Sequence, residues 1–384
     1  LCHPHHAIAS ESKSNLRTAA TALKSGEYEK AQRLFTDIAE RERNPLALYT
    51  LGLMAENGWQ AREPDALIAC RWFEKAAFRG HDKSMVKLGQ CLKNRTINTI
   101  DNSLINLATP PIPRDQLTTA AYWFRKAANT GHNEAFCHLG QLYKTAQGGV
   151  PQDSSKALQL CFHAARNGSA WAQRQVGQYF ATKSLSDFAQ AAYWYQQAAV
   201  NGDAPAAYAL AELYFHNPLV MAERFSLENR DHRQLARDWY EVAAGLGLKA
   251  AYTKTALLYY QALNEALGKF NPSVRNQSLT KKGGKKSSDA LLAKAYLWLR
   301  ASHIAYSPNL PTASLTQADA KTRMNAKISQ SILEKLRKIM PLLPRTWIPD
   351  LEAKIQAHFQ KYPTQWPVDA SPDLNAERLA QAEN

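Results

Sequence analysis

The chain has 384 residues, 45% hydrophobic and 10% aromatic, with a net charge of +14. That apolar content is ample for a continuous core, and no run of 18 or more apolar residues is present to cross a membrane as a helix. The charge is regional: from Asn264 to Arg345 fifteen Lys/Arg face four Asp/Glu, whereas residues 346–384 carry three basic and six acidic side chains. Such a surface favours anionic partners, unless it is only a solvated lysine loop.

In chain order, residues 1–14 read as a processed or flexible segment. Ala7-Ile8-Ala9 before Ser10 matches the A-x-A end of a secretory signal peptide, and Leu1-Cys2 matches the tail of a lipobox whose cysteine is lipidated. Both point to export. From residue 15 to 306 two helical patterns alternate. The first ends in an alanine pair and a glycine: RWFEKAAFRGH (71–81), YWFRKAANTGH (122–132), LCFHAARNGS (160–169), YWYQQAAVNGD (193–203) and DWYEVAAGLGL (238–248). The second carries a small residue nine positions later, pairing Gly80 with Gly89, Gly131 with Gly140, Gly168 with Gly177, Gly202 with Ala211 and Gly247 with Ala256. A two-helix unit at so constant an interval is a repeat array.

The return interval, from the small residue to the next motif tryptophan, is irregular. It is 20 residues for Gly52 to Trp72, 34 for Gly89 to Trp123, 17 for Gly177 to Trp194, 28 for Ala211 to Trp239 and 41 for Ala256 to Leu297, which stands for the motif tryptophan. Insertions near 94–118, 216–232 and 263–289 therefore leave from one edge. The third contains KKGGKK, making Lys281, Lys282, Lys285 and Lys286 a candidate anionic-partner site. Helical spacing assigns Trp72, Trp123, Trp194 and Trp239 to the same inward position. Antiparallel folding about Gly80 sets Cys70 opposite Cys91, and folding about Gly148-Gly149 sets Cys137 opposite Cys161. These are two candidate disulfides, or else four buried thiols.

Residues 307–366 lose the repeat. Ile328, Ile332, Leu336 and Ile339 or Met340 mark one face of a helix that Pro341 ends, and 347–362 suggests a second, together a helical cap. Residues 367–384 read as a flexible polar tail.

The pattern A-x-x-x-L-G-x-x-Y, G-G-V-P-x-D, K-A, then an aromatic pair before x-K-A-A-x-x-G-H resembles the Sel1-like repeat, a relative of the tetratricopeptide repeat. Residues 135–168 match most fully, 84–89 with 122–132 closely, and 31–52 as a degenerate first unit. The resemblance implies an all-α, right-handed superhelical solenoid of antiparallel helix pairs, acting as an adaptor. Some such proteins are outer-membrane lipoproteins supporting exopolysaccharide export, to which Cys2 and the basic region would correspond.

Catalytic signatures are sparse. No HExxH, Walker loop, GxSxG or dinucleotide fingerprint occurs. Ser10 and Ser278 head S-x-x-K matches in expected loops, without the accompanying elements. Cys137-His138 and Cys161-x-His163 have zinc-ligand types, but neighbours one or two apart on a helix diverge, so buried cysteines and surface histidines are expected. His3, His5 and His6 lie in the segment assigned to processing. The expectation is a non-catalytic scaffold of the bacterial cell envelope, periplasmic or anchored to the outer membrane, with no cofactor or metal. It binds a protein on the first-helix surface or insertion edge, with anionic polysaccharide or a membrane surface as further partners and nucleic acid not expected. A cytosolic or host-translocated adaptor is the alternative, and a hydrolase of the cysteine-rich type comes third.

Overall fold

The computed structural model describes residues 4–59, 63–101, 104, 115, 119–182, 187–217, 232–268, 282–306 and 320–362. Among them the chain is all-α. Helices pair along the sequence: α1 (Pro4–Lys24) with α2 (Tyr28–Arg41), α3 (Pro45–Asn57) with α4 (Ala66–Phe78), α5 (Asp82–Lys93) with α6 (Ala120–Asn129), and α7 (Asn133–Thr145) with α8 (Ser154–Arg166). There follow α9 (Ala170–Thr182) with α10 (Phe188–Val200), α11 (Ala204–His216) with α12 (His232–Gly245), and α13 (Lys249–Gly268) with α14 (Lys282–Tyr306). The cap is α15 (Ala320–Ile339) and α16 (Ile348–Lys361), joined by two short 3-10 turns. The residues form two compact units, dividing between Val176 and Gly177.

The constant nine-residue interval has a hydrogen-bond origin. The carbonyls of each alanine pair receive the amides that close the helix: Gly131 N to Ala128 O at 3.0 Å and His132 N to Ala127 O at 3.1 Å, with equivalents at Gly80, Gly168, Gly202 and Gly247. Gly131 has φ +91°, a conformation that L side chains rarely adopt, and open space around its Cα shows that the demand is conformational. A sixth instance escapes the sequence pattern: Arg43, nine residues before Gly52, takes this position with φ +51°. Side-chain oxygens cap several next helices, as Asp203 Oδ1 does for Ala206 N at 2.8 Å.

The second small residue answers a different need. A Cβ on Gly89 would stand 2.5 Å from the Phe124 ring, and the helical glycines 52 and 177 meet Phe73 and Tyr195 in the same way. The inward aromatic is therefore the residue after the motif tryptophan. Phe73, Phe124, Tyr195 and Tyr240 are buried, whereas of the four motif tryptophans only Trp123 is, and Trp72, Trp194 and Trp239 are half-buried. The expected inward row is thus corrected by one position, or 100° of helix. In α14 the register also moves by one: Trp298, rather than Leu297, takes the tryptophan place, and buried Leu299 lies in one cluster with Ala256. Gly140 has no ring opposite; its Cβ would meet the Ala157 carbonyl oxygen at 2.6 Å.

Two sequence boundaries also shift. The backbone is already helical at Pro4, inside the segment assigned to processing, because residues 5–24 contain no glycine or proline to stop a helix. The third insertion is shorter than read, since α13 extends to Gly268 and α14 starts at Lys282. In the cap, Ile332, Leu336 and Ile339 are buried as the spacing predicts, and α16 brings His358 Nε2 within 2.9 Å of the Tyr252 hydroxyl.

Candidate partner-binding face

The first helix of each pair turns its small residue towards the second helix, and a stripe about 100° round from it meets the neighbours in the array. That stripe holds positions two before, one after and four after the small residue. In the first unit it forms a lateral ladder. Lys87 Nζ of α5 pairs with Glu56 Oε2 of α3 at 2.8 Å. Gln90 Nε2 lies 3.1 Å from His138 Nε2 of α7, Lys93 Nζ lies 3.5 Å from Gln141 Oε1, and Gln141 Nε2 donates to Gln175 Oε1 of α9 at 3.0 Å. In the second unit Glu212 of α11 accepts from Tyr240 Oη of α12 at 2.5 Å and lies 3.5 Å from Lys254 Nζ of α13. Beside it Phe215 and Leu257 are exposed, at 39% and 37%.

His138 is the centre of the first-unit ladder. Its ring is sandwiched between Phe124 and Trp171, with centroids 5.1 and 3.9 Å away. Its Nε2 is 3.1 Å from Glu134 Oε1, and a carboxylate can only accept, so Nε2–H donates there and the Gln90 amide nitrogen makes a contact with the ring rather than a hydrogen bond. Burial pushes the imidazole below its ordinary range despite that carboxylate. Being buried, it corrects the expectation of a surface histidine; His163 is exposed as expected. No group of three or more His, Cys, Asp or Glu able to hold a metal occurs among the described residues.

A second histidine pair ties the turns. His132 Nδ1 lies 3.2 Å from Asp82 Oδ2, an interaction that holds the Asp82 carboxyl down at about 2. His81 caps α5 through Nδ1, which accepts Ser84 N at 3.2 Å, and burial lowers its pKa to about 4. The cap needs the unprotonated nitrogen. Acid should therefore destabilise the first unit: unfolded His81 titrates near 6.5 and folded His81 near 4, so the unfolded chain binds more protons as pH falls through that window. The ceiling is about 3 kcal/mol. Urea midpoints at pH 7 and pH 5 should differ less in His81→Asn, which keeps a cap acceptor without a titrating group. An unchanged difference would refute the assignment.

The other sequence candidates separate. Cys70 and Cys91 are joined by a disulfide with Cα atoms 6.0 Å apart, and Cys137 and Cys161 by another at 4.0 Å. Lys282, Lys285 and Lys286 lie on α14, but their side chains, and all of Lys281, Cys2 and Ser278, fall outside the described residues; Ser10 is on helix α1 rather than in the expected loop. The lateral ladder was missed because its partners are 31 to 48 residues apart. Only aligning the small residues in register would have exposed it.

Consecutive antiparallel helix pairs, gauged by small residues and buried rings, define an α-helical repeat protein. The Sel1 repeat family model matches residues 45–81, 109–132, 134–169, 172–203 and 225–248, and the chain is a Sel1-repeat protein. Helices α5 and α11, which insertions separate from their second helices, fall outside the matches almost entirely. Chitin synthase regulatory factor 4 of Schizosaccharomyces pombe is 30% identical over 149 residues, which are 39% of this chain and only 21% of that protein. A Sel1 repeat protein from Oxalobacter formigenes is 21% identical, covering 72% of this chain and 98% of its own at a TM-score of 0.43. The protective antigen c5321 of uropathogenic Escherichia coli, of SLR fold, is 18% identical, with 92% and 75% covered at a TM-score of 0.32. Sel1 repeats mediate protein–protein interactions, and proteins built from them are in general non-catalytic adaptors.

Proposed function

We propose that the chain is a non-catalytic scaffold of the bacterial cell envelope that holds a protein partner on the first-helix face and assists assembly or export of a surface polymer. The observation that carries the interaction reading is the ladder itself. Its lateral bonds fix polar side chains in register, so a partner meets an ordered surface and loses less entropy on binding. The envelope reading draws on the two disulfides, which persist in oxidising compartments. Lipidation of Cys2 and contact of Lys281, Lys282, Lys285 and Lys286 with an anionic polymer belong to the same proposal.

The test is affinity capture from the native cell with paired variants. Lys93→Glu with Lys144→Glu alters the ladder face, and Gln159→Ala with Arg166→Glu alters the outer surface of α8. The captured protein should be lost with the first pair and kept with the second. The opposite result would move the binding surface to the second helices. Alkylation of intact cells should find Cys70, Cys91, Cys137 and Cys161 blocked, whereas free thiols would favour the cytosolic alternative.

A further inference from the structure

The turn between α15 and α16 combines two features. From Lys335 through Trp347 the chain holds four cations, Lys335, Arg337, Lys338 and Arg345, and no acid; Glu334 and Asp350 flank it. Within that stretch Met340 and Leu342 are exposed, at 41% and 44%. Ile339 and Leu343 are buried in the core, and Trp347 packs partly against it. Anchored at every fourth position, Ile339, Leu343 and Trp347, and stiffened by Pro341 and Pro344, the turn holds Met340 and Leu342 outward. Arg337 stands one helical turn before Met340, and Arg345 follows Leu342 by three residues. None of Arg337, Lys338 and Arg345 has an ion-pair partner among the described residues.

Cations at the last turn of α15 also suit its negative end. That accounts for Arg337 and Lys338, but not for Arg345 or for two apolar side chains left in water. Side chains that insert, ringed by cations that remain at the headgroups, are what a peripheral contact with an anionic bilayer requires. A soluble polyanion would use the charges and leave Met340 and Leu342 without a role. We infer that the α15–α16 turn is a membrane-contacting surface that seats the second unit on anionic lipid. The inference stands apart from the scaffold reading and from Lys281, Lys282, Lys285 and Lys286.

The experiment is co-sedimentation of the full chain with phosphatidylcholine vesicles, with or without phosphatidylglycerol, beside a heparin-binding arm. Wild type should bind only the anionic vesicles. Arg337→Glu, Lys338→Glu and Arg345→Glu together should weaken that binding by about 100-fold or more, at roughly fivefold per cation removed. Met340→Ser with Leu342→Ser should cost about tenfold on vesicles and nothing on heparin. Both positions are exposed, and circular dichroism would verify that the variants fold. No binding to anionic vesicles would overturn the inference. So would wild-type vesicle binding by the serine variant, which would indicate a soluble-polyanion surface. Loss of binding on reversing Lys281, Lys282, Lys285 and Lys286, with the turn variant unaffected, would relocate the contact and overturn it equally.

Discussion

Reducing the disulfides should lower the stability of the first unit by about 3 kcal/mol for each bond broken, the range for closed loops of this length. Sequence separations of 21 and 24 set those loops. The two bonds are not equivalent. Cys161 occupies the place that Phe73, Phe124, Tyr195 and Tyr240 hold in other pairs, directly opposite Gly140. With no ring between them, α7 and α8 are held at a Cα separation of 4.0 Å, and losing the bond removes the element that fills the slot. Cys70 lies one turn before Phe73, which stays in place to pack against Gly52. Cys137→Ser with Cys161→Ser should therefore cost more than Cys70→Ser with Cys91→Ser in urea titration. Equal losses would mean that loop closure alone is at work.

Truncating one buried ring should have an effect as large. Phe124→Ala should cost about 3–5 kcal/mol, because the ring is fully buried against Gly89 and against the face of His138. Tyr193→Ala, on an outward position 51% exposed, should cost less than about 1 kcal/mol. Thermal melts of both variants would decide. A Phe124→Ala loss no larger than that of Tyr193→Ala would show that small residue and ring do not set the helix spacing. Gly89→Ala tests the same contact from the other side and should also destabilise, since its Cβ would meet a ring with no room to withdraw.

The difference between Trp123 and Phe124 also shows where reading the sequence stops. Motifs such as Trp-Phe and Trp-Tyr put two aromatic residues 100° apart, and either could face inward at helical spacing. Periodicity establishes that there is an inward stripe without fixing its phase, and the phase is settled by which ring lands on the glycine of the preceding helix. The same ambiguity placed Leu297 where Trp298 belongs. Arg43 was missed for another reason: its position was recognisable by conformation, φ +51°, rather than by residue type. The helix pairs were legible because alanine pairs and glycines repeat within a short stretch. The ladder through Gln90, His138, Gln141 and Gln175 depends on which helices become neighbours, which no local pattern encodes.

The placement of the two disulfides has a mechanical consequence. Cys70–Cys91 spans the turn from one helix pair to the next, whereas Cys137–Cys161 closes a single pair upon itself. Pulled from its ends, an oxidised chain cannot pay out the segments inside either loop, even after its helices have come apart. At about 3.5 Å per extended residue, roughly 150 Å of contour length stays locked. Load on this protein would be shared between regions that stretch and regions that hold their length, with the thiol redox state setting the proportion.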